Sequence, residues 1–226
     1  MEADETKGLP KYDIKEDLKR GHRFFVFGVD FSSREPLGIE VAKRLVEMKR
    51  CDEMIYVGHH PEHYDSLGCV TFEPYQRHST VPVLNRLLDR KKSNEKKKAL
   101  LVLDRYDITE NECGIFNVRP IVRHLLLNGF HHGVLVLVTA LYPIERGLLS
   151  QADQIFLSRP DHIDEDNMPQ LSGIGVSKRI QEFYETNYLR LTCDTTTLVI
   201  DRCSSVKKPT MFLLPRFWWD KPFSSL

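Results

Sequence analysis

The residues best suited to chemistry follow the first apolar run, where the chain reads FGVDFSSREPLG. A phosphate-binding loop has the spacing G-x-x-x-x-G-K-[ST]. Its glycines let backbone N–H groups curl around a phosphate, its lysine neutralises the charge, and its hydroxyl holds magnesium. Gly28 takes the first position, and counting forward puts Ser33 at the second glycine, Arg34 at the lysine and Glu35 at the hydroxyl. Arg34 keeps a positive charge that can attract a phosphate, with Ser32 and Ser33 beside it. Asp30 and Glu35 set carboxylates next to the phosphate oxygens, where like charges repel. The same residues also suit a plain strand-to-helix turn capped by Ser32 or Ser33.

A second candidate is Asp104, which ends the apolar run ALLVLD. An acid directly after a buried strand orients magnesium through water in phosphate-loop enzymes. A water-activating acid often comes next, but Arg105 stands there, and Asp107 and Glu110 are the nearest alternatives. A strand-terminal aspartate also caps turns without any ligand. ATP and magnesium are the cofactors this chemistry implies.

These residues need a frame that brings strand ends together. Near-continuous apolar runs occur at 24–29, 54–58, 99–104, 133–139 and 154–158, with a weaker one at 68–72. Runs without polar alternation read as strands covered on both faces, the pattern of a parallel sheet between helices. Leu37, Val41, Leu45 and Met48 fall at helical spacing, with Pro36 placed for a first turn. Further helices are expected from about Thr80 through Leu88, from Asn117 to Asn128 with Gly129 as the stop, and near 175–187. Strand and helix alternating in this way predict a three-layer α/β sandwich with a mostly parallel sheet. Runs at 195–201 and 210–215 predict C-terminal edge strands or a hairpin, followed by an aromatic tail. Residues 1–22 read as a mobile arm and 23–226 as one domain.

Composition narrows the classes. At 226 residues, 41% hydrophobic and 28% charged, the chain has the make-up of a folded globular protein and not of a disordered or fibrous one. The net charge is zero, so any contact with a polyanion must come from a local patch. No apolar run reaches the roughly 20 residues of a membrane span, and the polar start does not resemble a secretory signal. Five cysteines without a CxxC pair suit reduced thiols, so an intracellular location and no membrane partner are expected.

Taken in order, FFVFGVDFSSRE, HHPEHYDSL, ALLVLD, RHLLLNGFHHGVLVLVTALYP, LLSQADQIFLSR and TTTLVIDR resemble the viral genome-packaging ATPases of the poxvirus type. Those proteins belong to the FtsK–HerA superfamily of P-loop NTPases, and the likeness covers residues 22–220. It implies a P-loop NTPase-like fold, with Gly28 in the phosphate loop and Asp104 as the magnesium-orienting acid. Arg34 and Glu35 replace the loop lysine and its hydroxyl neighbour. Ala140 or Leu141 stands where the family has glutamine, and Leu149 where an arginine precedes the last acid, with Arg146 one turn earlier as the substitute. With these positions altered together, the resemblance implies a packaging-type protein with impaired or lost hydrolysis. By the same likeness it would be a homo-oligomer or the partner of a viral capsid or motor, located in the infected host cell or virion.

Weaker signals remain. The stretch Arg86–Lys98 carries a surplus of five positive charges and could touch double-stranded DNA, although a solvated helix end explains it as well. His59, His60 and His63 lack the further ligands of a zinc site. An ATP-hydrolysing translocase using Arg34 and Asp104, and a non-enzymatic interaction module, are the competing functions.

Overall fold

The computed structural model describes residues 12–27, 31–58, 70–74, 77–90, 97–104, 115–140, 146–157, 196–203 and 210–215, together with Tyr64, Leu67 and Glu182. Eight strands form one sheet: β1 (Arg23–Phe27), β2 (Glu53–Gly58), β3 (Val70–Pro74), β4 (Ala99–Leu103), β5 (Val134–Ala140), β6 (Gln154–Leu157), β7 (Thr196–Asp201) and β8 (Thr210–Pro215). Their order is β3-β2-β4-β5-β1-β6-β7-β8. The first six positions pair in parallel. The last two strands form the expected hairpin, with β7 antiparallel to both β6 and β8.

The apolar runs become buried strands because helices cover both faces. On one face lie α1 (Ile14–Asp17) and α2 (Phe31–Glu47). There Leu18, Leu37, Val41 and Leu45 pack on Phe24, Val26, Leu100 and Leu137. On the other lie α3 (Arg77–Asp89), α4 (Ile115–Asn128) and α5 (Arg146–Leu149). Val83, Leu87, Val122, Leu125 and Leu149 pack there on Phe25, Leu101 and Val136. Alternate residues of each strand thus serve opposite layers, which is why the runs carry no polar face. The three-layer α/β sandwich is as expected.

Several local expectations change. The folded part begins before Arg23: Tyr12 and Leu18 are buried. The Tyr12 hydroxyl donates to Gln154 Oε1 at 2.7 Å, and Gln154 Nε2 donates to the Asp17 carbonyl at 2.8 Å. Two apolar anchors and a satisfied buried amide hold residues 12–22 to the sheet, so this part is not a mobile arm. Helix α2 starts at Phe31, which places Ser32 and Ser33 inside its first turn, not ahead of it, and Pro36 in its second. Gly129 does not stop α4 in a left-handed turn. The chain runs on through a 3-10 turn, Gly129–His132, and Gly133 takes the positive φ of 70°. The helix expected at 175–187 lies outside the described residues except for Glu182, and the aromatic tail lies wholly outside them.

Candidate functional site

The carboxyl ends of the parallel strands form the edge where open α/β sheets bind ligands. β1 is interior, between β5 and β6, so its carboxyl end lies within that edge and not at its margin. Register fixes the heights: Val26 lies level with Thr139, and Leu103 with Val138, so Asp104 follows at the level of Thr139. β5 separates β1 from β4, which sets Asp104 about 10 Å across the sheet from the end of β1 at two strand spacings.

Asp104 is 2% exposed and tied to both neighbouring strands. Its backbone N–H donates to the Val57 carbonyl at 2.9 Å. The Tyr56 hydroxyl, from β2, donates to Asp104 Oδ2 at 2.9 Å. The Thr139 hydroxyl, from β5, donates to Asp104 Oδ1. The geometry depends on two glycines. A Cβ at Gly58 would lie 2.4 Å from the Tyr56 hydroxyl oxygen and 2.8 Å from the Asp104 Cβ, so glycine opens the passage between them. A Cβ at Gly38, on α2, would lie 2.9 Å from the Thr139 methyl and 3.3 Å from the Tyr64 hydroxyl oxygen, so glycine lets the helix press onto β5. Tyr64 stacks obliquely on Tyr56 with ring centroids 4.7 Å apart.

This arrangement can hold a cation. Magnesium takes oxygen ligands, keeps several waters and needs only one or two carboxylates beside substrate phosphates. Asp104 offers the oxygen chemistry, with the Tyr56 and Thr139 hydroxyls holding one carboxylate oxygen each. A carboxylate held in this way suits a water-bridged magnesium, which when bound would neutralise phosphate charge. No group of three His, Cys, Asp or Glu that could hold a metal occurs among the described residues.

The other sequence candidates distribute unevenly. Only residues 28–30 separate β1 from α2, so Ser32, Ser33, Arg34 and Glu35 belong to the opening turns of the helix. The first N–H groups of a helix have no intrahelical partner, which favours an anion at that end. Gly28, Asp107 and Glu110 lie outside the described residues, and Arg146 begins α5. Leu149 is buried in the core, so this position presents no side chain to a neighbouring subunit. Asp153, part of the LLSQADQ motif, sits at the opposite edge, where it pairs with Arg23 and accepts the His22 and Arg23 N–H groups.

The basic stretch is corrected in one place. Arg90 is 3% exposed, paired with Glu53 and donating to the Lys97 carbonyl, so it clamps α3 to β2 and faces no DNA. Arg86, Lys97 and Lys98 are exposed, and 91–96 lie outside the described residues. Tyr56 and Thr139 do not stand out in the sequence. The available signal was a hydroxyl inside each apolar run, since a buried hydroxyl needs a partner.

The strand order and the acid at the end of β4 define a P-loop NTPase-like α/β domain. Solved structures share it. The DNA-packaging ATPase B204 from Sulfolobus turreted icosahedral virus matches with a TM-score of 0.60 and 12% identity over 84% of this chain and 96% of that one. The genome packaging NTPase B204 from Sulfolobus turreted icosahedral virus 2, in complex with AMP, matches with a TM-score of 0.57 and 14% identity over 85% and 97%. EssC (ATPases 2 and 3) from Geobacillus thermodenitrificans matches with a TM-score of 0.57 and 11% identity over 88% of this chain and 40% of that one. At these identities the likeness is one of fold, and it agrees with the packaging-ATPase resemblance read from motif order. No family model and no curated protein sequence matches the chain.

Proposed function

We propose that this chain is a packaging-ATPase-like protein that acts in viral DNA packaging, or beside an active motor, with weak or lost ATP hydrolysis. One observation supports the reading: Asp104 follows β4, two strands across the sheet from β1, in a fold shared with the packaging NTPases, and in this reading it is the magnesium-orienting acid. The loop chemistry that would complete hydrolysis is altered at Arg34 and Glu35, and the residue after the acid is Arg105. Arg34 lies in the opening turns of α2, four residues ahead of Gly38. That placement supports a residual grip on a phosphate without lysine, with Asp104 holding magnesium.

The test compares binding of ATPγS, with and without magnesium, and phosphate release from ATP for the wild type, Arg34→Ala and Asp104→Asn. Weak binding that Arg34→Ala removes, with phosphate release at background in every protein, is the expected result. Release that depends on Asp104 would establish an active translocase instead. Failure of wild type and Arg34→Ala alike to bind would leave a protein-interaction module.

A further inference from the structure

We infer that Tyr56 and Thr139 are positioning residues for Asp104, fixing from the two flanking strands the plane in which its carboxylate meets a divalent cation. The inference rests on the reading of this edge as a magnesium–nucleotide site.

Tyr56 lies level with Val102 on β4, two residues short of the sheet edge. Its ring must run along the sheet to bring the hydroxyl to Asp104, and the path crosses Gly58, where any Cβ would collide with the phenol. The side chain is fully buried and backed by the Tyr64 ring, so the hydroxyl cannot swing into water. Thr139 approaches from the other side, fully buried, with its methyl against α2 at Gly38. One donor on each carboxylate oxygen, each on a separate rigid strand, removes the rotation that an aspartate at a strand end otherwise has. Outer partners that orient a metal-binding group typically contribute 10–100-fold in metal affinity. Thr139 further connects Asp104 to α2, the helix that carries Arg34 in its opening turns, so the cation side and the phosphate side of the edge share one packed contact.

A purely structural role, that of satisfying two buried hydroxyls, predicts lower stability with unchanged metal binding. The experiment measures Mn²⁺ binding by electron paramagnetic resonance in the presence of ATPγS, and ATPγS binding without metal. The proteins are wild type, Tyr56→Phe, Thr139→Val and Thr139→Ser. Tyr56→Phe keeps the ring packing and loses only the hydroxyl. Support consists of Mn²⁺ affinity falling about 10–100-fold in Tyr56→Phe and Thr139→Val, near wild-type affinity in Thr139→Ser, and metal-free nucleotide binding unchanged in all. If either Tyr56→Phe or Thr139→Val fails to fold, the other gives the reading. If both fail, the hydroxyls belong to stability and the inference falls. Wild type that binds Mn²⁺ with ATPγS no better than the two hydroxyl-deleted variants overturns the inference alone. Wild type that binds neither overturns the site reading and the inference together.

Discussion

At the scale of single residues, the carboxyl edge depends on what is missing at Gly58. Alanine there would bring a Cβ to 2.4 Å from the Tyr56 hydroxyl oxygen and 2.6 Å from its Cζ. The ring is fully buried, so Gly58→Ala should cost about 1–3 kcal/mol in urea unfolding. Its Tyr56–Asp104 hydrogen bond should also break, visible as a changed tyrosine ultraviolet difference spectrum. At the opposite edge, His22 lies near Arg50, and partial desolvation together with that guanidinium lowers its pKa from the ordinary 6.5. A lowered histidine pKa means that the unfolded chain binds the proton more readily. Its contribution to stability is therefore present above about pH 6.5 and is lost as pH falls through that value toward the folded pKa. His22→Gln should show less loss of unfolding free energy than wild type between pH 7.5 and 5.5. Equal losses would assign the acid sensitivity elsewhere. Cys203 behaves in the opposite sense in alkali: burial and the carboxylates of Asp153 and Asp201 push its thiol up to about 12.

At the scale of elements, the N-terminal segment and α2 decide how the sheet is capped. Leu18 is fully buried and Tyr12 meets Phe156 edge-on at 5.6 Å, so the segment belongs to the core that α2 completes. Leu18→Ala should destabilise the protein by about 2–5 kcal/mol in denaturant titration. A mobile arm would give no change. The sequence hid this packing because Tyr12 and Leu18 are spaced among charged residues with no sustained period, and their partners lie on distant strands such as β1 and β6. The strands, by contrast, were legible almost to the residue. A run such as VLVLVTA at Val134–Ala140 has no polar face to expose and can only lie between two layers.

At the scale of the whole molecule, a net charge of zero leaves any duplex binding to a local surface. Arg86, Lys97 and Lys98 are exposed, whereas Arg90 is buried against Glu53. Replacing Arg86 and Lys98 together by glutamate should weaken double-stranded DNA binding in fluorescence anisotropy. The slope against log salt should fall by about 0.9 for each phosphate that is no longer neutralised. Arg90→Met should leave that slope unchanged and instead lower stability by about 1–3 kcal/mol, because the Glu53 carboxylate and the Lys97 carbonyl lose its hydrogen bonds. DNA binding that tracks Arg90 and ignores Arg86 and Lys98 would refute this surface. Among the described residues no helix is long and apolar enough to cross a membrane.

The sequence by itself determined the three-layer α/β class, the order of strands along the chain, the two C-terminal strands and the position of Asp104 at a strand end. Each follows from local information: apolar period, turn residues, and an acid closing a buried run. Tertiary structure alone decided the order of strands across the sheet, which sets β5 between the end of β1 and Asp104. It also decided which hydroxyls reach that acid and which arginine of the basic stretch is hidden. Those facts depend on pairings between residues such as Tyr56 and Asp104, 48 positions apart, and a chain read in one dimension carries no distance between them.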